Sequence, residues 1–255
     1  LLEALDATGQ ADRTIVIFTA DHGEMLGVHG LRGKGVLPYR EAAQVPLLVR
    51  HPSRAGAAST PTLASHVDMA PTLLGLAGVS PATVHQEVPE LIGRDLSAVI
   101  VDPATGDPRE NGDGILLHWT SLIYQDHVAA LAFEEERKQG RAFSLLALVK
   151  PEFRGVLGKR GQMRGVFDGR YKFARYFTPT EHNTPTTWDD LIARNDLELY
   201  DTETDPGETR NLAADPEKAR DLILRMNMKL NRLIAREIGV DDGRHMPGPD
   251  FIWRA

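Results

Sequence analysis

The chain has 255 residues, 42% hydrophobic and 25% charged, with a formal net charge of -7, which is long enough for one large core or one core with an appendage. The acidic balance and the lack of clustered Lys and Arg exclude a nucleic-acid or anionic-membrane surface. With no cysteine there is no disulfide, thiolate metal site or cysteine nucleophile within the chain, and redox chemistry says nothing of compartment.

"LLEALDATGQADRT" opens the chain with Leu1, Leu2 and Leu5 on one helical face before Gly9. It reads as a helix already under way, so the chain is expected to begin inside a domain. "TIVIFTA" (14–20) follows as a continuous apolar run of strand length, and "QVPLLVRHP" (44–52) is a second; both have the pattern of strands buried on two faces of an α/β sheet. "SHVDMAPTLLGLAGV" (65–79) is a helix with Gly78 where it should stop. From Ser80 to Gly114, Pro, Gly and Asp interrupt short apolar pieces, which predicts a winding surface connection before a strand at "ILLHWTS". No apolar run approaches the roughly 20 residues of a membrane span.

Asp168-Gly169 stands between two alternating arms, "MRGVF" and "RYKFARYF", a strong hairpin signal. "DLELYDT" adds another strand. Asp215 as N-cap and Pro216 as first helical residue open an amphipathic helix closed by Gly239. The expected organisation is an α/β core over residues 1–150 and an antiparallel β subdomain with a terminal helix over 151–255.

Chemistry concentrates where the first strand ends, in "FTADHGEMLGVHGLRGKG". Ligands of open α/β sheets bind beyond the carboxyl ends of strands, where Asp21 and His22 fall. A carboxylate oxygen and a neutral imidazole nitrogen are both competent ligands for a divalent cation, and Gly23 allows a sharp turn that lets the two converge. These residues alone leave open a plain capped turn.

The whole string through "PYREAAQVPLLVRHP" resembles the sulfatases of the alkaline phosphatase superfamily. There a strand ending in Asp-His-Gly or Asp-Asn-Gly is followed by Glu-x-x-Gly-x-His-Gly, a lysine, and a tyrosine with an acidic residue ahead of (Val/Ile)-Pro-Leu. "HVDMAPTLLGLAGV" is similar to the family's Val-Asp-x-x-Pro-Thr helix, and "LIGRDLSAVI" to its Gly-x-Ser-Leu turn with Asp95 in the serine's place. "GRYKFARY...ELYDTETDPGETRNLAADP" is similar to its C-terminal antiparallel subdomain. The resemblance implies a partial three-layer α/β sandwich of the alkaline phosphatase/sulfatase type.

It also implies roles. Asp21 and His22 would ligate the active-site cation, calcium in most sulfatases and Mn2+ or Zn2+ in the related phosphonate monoester hydrolases. Lys34 would contact a non-bridging sulfate oxygen as a catalytic and substrate-binding residue, with Gly33 and Gly35 letting its backbone approach a ligand. His29 occupies a family-typical place, either on the ligand side or holding the loop. His66, Asp68, Arg40 and Glu41 are expected to be structural, and Tyr171, Phe173 and Tyr176 to pack. His182 and Asn183 lie in a Pro- and Thr-rich loop long enough to border a pocket.

The family's formylglycine arises from Cys or Ser in a Cys/Ser-x-Pro-x-Arg motif. None of the serines at 53, 59, 65, 80, 97, 121 and 144 has that context. The expected function is therefore that of the C-terminal part of a metal-dependent sulfatase acting on a small-molecule or glycan sulfate monoester, with the formylglycine and the N-terminal remainder supplied upstream. The alternatives are a phosphonate or phosphate monoester hydrolase, and a non-catalytic binding domain with a relic half-site.

Overall fold

The computed structural model describes residues 1–54, 56–106, 112–120, 127–141 and 158–244, with 127–130 and 132–133 described by backbone alone. The boundary expected at residue 150 lies outside them. The chain divides into two compact units, one of residues 1–34 and 39–115 and the other of 35–38 and 116–255.

The first unit begins with helix α1 (Leu2–Ala7) and strand β1 (Val16–Thr19). A short helix α2 (Arg40–Ala43) leads into β2 (Leu47–Arg50). A 3-10 turn (His66–Asp68) runs into α3 (Met69–Leu76), which stops at Gly78, where φ is +86° and the Val79 N–H reaches back to the Leu74 carbonyl. The stretch expected to be a surface connection holds two helices, α4 (Pro81–Glu87) and α5 (Ser97–Val101). Ser80 caps α4 through the Thr83 N–H at 3.1 Å, and Pro81 stands in its first turn. This cap-and-proline signal was in the sequence, beneath the turn-like composition.

β1 and β2 pair antiparallel, Phe18 opposite Leu48 and Thr19 opposite Leu47. Their burial departs from expectation. Phe18 is 61% and Leu48 63% exposed while Val16, Ile17 and Val49 are half-buried, so the run written for two covered faces is only partly covered in this chain. Among the described residues the first unit buries only Met25, Ala42, Pro71, Val84 and Leu96 as apolar side chains.

The main core belongs to the second unit, a four-stranded sheet in the order β3 (Ile115–Trp119), β4 (Gln162–Phe167), β5 (Tyr171–Phe177), β6 (Asp196–Asp201). Helix α6 (His127–Lys138) follows β3, and α7 (Trp188–Arg194) precedes β6. The β4–β5 turn forms as its Asp-Gly predicts: Asp168 Oδ1 accepts the N–H groups of Arg170 (3.1 Å) and Tyr171 (2.8 Å), and Gly169 takes φ +99°. Helix α8 (Arg220–Glu237) packs on β4 and β5. Its Ile223, Met226, Leu230, Leu233 and Ile234 recur at helical spacing and are at most 1% exposed, each worth roughly 1.5–3 kcal/mol of burial. They meet Val166, Phe173, Leu191 and Leu199. The helix begins at Arg220 rather than Pro216. Asp215 still accepts the Lys218 N–H at 3.4 Å, but residues 216–219 form turns ahead of the helix. Tyr171 and Phe173 pack as expected, while the Tyr176 hydroxyl donates to Glu198 at 3.1 Å. Among the described residues no single helix is long and apolar enough to cross a membrane.

Candidate active site

β1 delivers its chain end to a loop closed on itself. The Met25 N–H bonds the Gly33 carbonyl (3.1 Å), the Gly27 N–H bonds the Leu31 carbonyl (2.8 Å), and the Met25 side chain is fully buried beneath. Glu24 clasps the far side, accepting the Gly33 N–H at 2.5 Å. Leu26 and His29 take φ of +48° and +53°, left-handed conformations that cost non-glycine residues energy and persist only where neighbours enforce them. Gly23 works differently from the expectation of a sharp turn. Its φ is not positive; a Cβ there would lie 1.9 Å from the Glu41 carbonyl oxygen. Glycine is needed because the loop is pressed onto α2, where the Gly23 N–H bonds the Ala42 carbonyl at 2.9 Å.

Between β1 and this anchor stand Asp21 and His22. His22 Nδ1 lies 2.8 Å from its neighbour's Gly23 carbonyl. A carbonyl only accepts, so Nδ1 carries the hydrogen and Nε2 presents a lone pair. The Lys34 ammonium, a donor only, contacts that Nε2. Asp21 Oδ2 stands 3.3 Å from the same nitrogen, and Asp21 Oδ1 accepts the His22 N–H at 3.0 Å. That N–H bond, with Lys34 adding to it, holds the Asp21 carboxyl below its ordinary range. Two electron-pair donors and a cation therefore converge on one accessible spot at the mouth of β1; Asp21 and Lys34 are exposed and His22 is partly covered.

The donor set suits a divalent cation: a hard carboxylate oxygen and a borderline imidazole nitrogen whose other nitrogen is fixed by a carbonyl, the usual arrangement of a ligating histidine. It is half a site. Among the described residues no three His, Cys, Asp or Glu side chains come together to hold a metal.

The remaining candidates separate from this centre. His29 stacks on Tyr39, ring centroids 4.1 Å apart at 17°. Arg40 pairs with its neighbour Glu41 at 3.5 Å. Asp68 is 3% exposed and accepts from Ser65 N (3.0 Å), Arg94 N (2.7 Å) and the Arg94 guanidinium (2.9 Å). His66 donates from Nε2 to the Ala20 carbonyl at 2.8 Å, a contact the sequence reading missed, as it missed the Glu24 clasp. Asp95 accepts the Ser97 N–H at 2.8 Å, at the start of α5. His182 and Asn183 are turned inward: the His182 side chain is 3% exposed against Asp241, and Asn183, 4% exposed, takes part in the hydrogen bonds beneath α8.

Residues 1–79 match the model of the sulfatase family. Over 80 residues the chain is 42% identical to an N-acetylglucosamine-6-O-sulfatase of Bacteroides thetaiotaomicron, covering 31% of this chain and 14% of that protein. Among solved structures, a protein in complex with its substrate D-glucosamine-2-N,6-O-disulfate is similar over 95% of this chain and 38% of its own, at 23% identity and a TM-score of 0.62. A phosphonate monoester hydrolase of Agrobacterium radiobacter is similar over 92% and 38%, at 25% identity and a TM-score of 0.58. The fold is thus the mixed α/β type of the alkaline phosphatase superfamily, and the chain spans well under half the length of these relatives.

Proposed function

We propose that this chain, whose residues 1–79 match the model of the sulfatase family, forms the part of a metal-dependent sulfate-monoester hydrolase that binds the cation and the ester's anionic group. One observation carries the reading, the convergence of Asp21 Oδ2, His22 Nε2 and Lys34 Nζ at the end of β1.

Asp21 and His22 would hold a divalent cation, which when bound would supply Lewis-acid stabilisation of non-bridging oxygens. The chain's own residues do the rest. The Gly23 carbonyl keeps the hydrogen on His22 Nδ1, so Nε2 is the nitrogen that presents a lone pair to a ligand site. Lys34 is mobile enough, as an exposed four-carbon side chain, to leave Nε2 and donate to a sulfate oxygen, neutralising charge that grows as the ester bond breaks. No cysteine in the chain can become a formylglycine, so the proposal assigns these residues binding and positioning and leaves the attack at sulfur to a nucleophile supplied from outside this chain. The substrate class is a sulfate ester of a sugar or other small molecule, in keeping with the similarity to the Bacteroides N-acetylglucosamine-6-O-sulfatase. Calcium is the family's usual metal.

One feature favours a second reading. An imidazole in the ligand pair suits Mn2+ or Zn2+ better than calcium, and the Agrobacterium phosphonate monoester hydrolase shares the fold. Parallel assays of the full-length protein on an aryl sulfate and an aryl phosphonate, with Ca2+, Mn2+ and Zn2+ each added to metal-stripped protein, decide between them. Preference for the sulfate ester is expected; preference for the phosphonate transfers the proposal to that reaction, and turnover of neither overturns both.

A further inference from the structure

We infer that His66 is a positioning residue for the Asp21–His22 pair, acting through the Ala20 carbonyl; this rests on the proposed function of that pair. The ladder between β1 and β2 ends at Thr19 opposite Leu47, so the next carbonyl, that of Ala20, lies beyond the strand register. His66 Nε2–H donates to it at 2.8 Å. On the other side of the pair, the Gly23 N–H bonds the Ala42 carbonyl at 2.9 Å. Asp21 and His22 are thereby pinned at both flanking peptides, once by backbone and once by an imidazole 46 positions away.

A positioning group must itself be held, and the turn carrying His66 is. The buried carboxylate of Asp68 accepts from Ser65 N, Arg94 N and the Arg94 guanidinium. Arg94 also donates to the Leu63 carbonyl at 2.5 Å. The backbone of Gly93 lies so close that a Cβ there would meet the Val67 carbonyl oxygen at 1.9 Å. The His66 side chain itself is exposed and buries no core. Its fixed hydrogen bond therefore acts on the Ala20–Asp21 peptide plane, and through it on the direction of the Asp21 carboxylate. A group behind a ligand changes metal affinity without touching the metal.

The test uses the full-length protein with His66→Ala and His66→Gln, the glutamine amide restoring an N–H donor. Mn2+ alone is titrated by calorimetry, and the Ala20 carbonyl is followed by NMR after labelling alanine carbonyls with 13C and aspartate amides with 15N. His66→Ala is expected to lower Mn2+ affinity about tenfold and to shift the Ala20 carbonyl resonance, with a melting temperature close to wild type. His66→Gln is expected to recover most of the affinity. Wild-type affinity and an unmoved carbonyl in His66→Ala overturn the positioning role while leaving the metal pair standing, and equal losses in both variants overturn it as a hydrogen-bond effect. A wild-type protein that binds no Mn2+, Ca2+ or Zn2+ overturns the metal reading, and this proposal with it.

Discussion

Arg164 grips both carboxylate oxygens of Asp241, 77 positions away, through Nε at 2.8 Å and an Nη nitrogen at 2.9 Å. The pair ties β4 to the segment after α8, and each side chain is at most 4% exposed. His182 Nδ1 adds a third bond to the same carboxylate at 2.9 Å, while the second Arg164 Nη donates to the Trp119 carbonyl and the Thr120 hydroxyl on the neighbouring strand end.

Asp241→Asn should therefore destabilise the second unit by about 3–5 kcal/mol, because it leaves a buried guanidinium without its counter-charge. Burial by itself raises the Asp241 pKa, but the bonds from His182 and Arg164 outweigh it and hold the carboxyl down to about 2. A depressed folded-state value means stability present above the unfolded pKa, near 3.9, and lost as pH falls toward about 2. Thermal melts of wild type between pH 5 and 2 should fall more steeply than those of Asp241→Asn; parallel curves would remove this carboxylate from the acid transition.

Asp21→Asn and His22→Ala should each lower cation affinity by at least about tenfold and reduce turnover with it, since each removes a donor from the same spot. Calorimetric titration beside activity assays of the full-length protein reads both. Full metal content with full activity in either variant would return that residue to a turn.

Lys34→Ala should leave the fold and the cation in place and lower kcat by about 100- to 1000-fold, the usual cost of losing one charge-stabilising donor. The amine contacts only the His22 nitrogen among its described side-chain partners, so its removal exposes no core. Unchanged kcat/KM on the aryl sulfate would make it a loop lysine.

Gly23→Ala should be more damaging than its size suggests. Its Cβ would sit 1.9 Å from a backbone oxygen of α2, and backbone cannot step aside as a flexible side chain does. Displacing this contact moves the His22 ring, so cation affinity should fall together with a stability loss of about 1–3 kcal/mol. Gly207→Ala, whose Cβ would make an ordinary 3.5 Å contact with the Thr209 methyl, is the control.

The 255-residue chain by itself should self-associate through the β1–β2 ribbon, where Phe18 and Leu48 face each other and stand more than half exposed. Light scattering of the chain should show oligomers that Phe18→Thr with Leu48→Thr reduces. A monodisperse monomer unaffected by the pair would show that this apolar face needs no cover.

The elements were legible in the sequence wherever local physics decides them. The β-branched run of β1, the Asp-Gly of the β4–β5 turn, Gly78 and Gly239 as helix stops and the periodic face of α8 each act within a few residues. The reading failed where composition masked a local signal, as at Ser80-Pro81, and where burial depends on what covers an element, as at Phe18 and Leu48. Asp21, His22 and Lys34 stood out through the resemblance of their whole string to the sulfatases, and the tautomer-fixing Gly23 carbonyl follows from adjacency. What only the tertiary structure decided are pairings without a sequence period: His66 on Ala20, Arg164 on Asp241, Gly23 against Glu41. Hydrogen bonds and steric contacts depend on distances of a few ångströms, and residues 18 to 77 positions apart reach such distances only after the chain has folded.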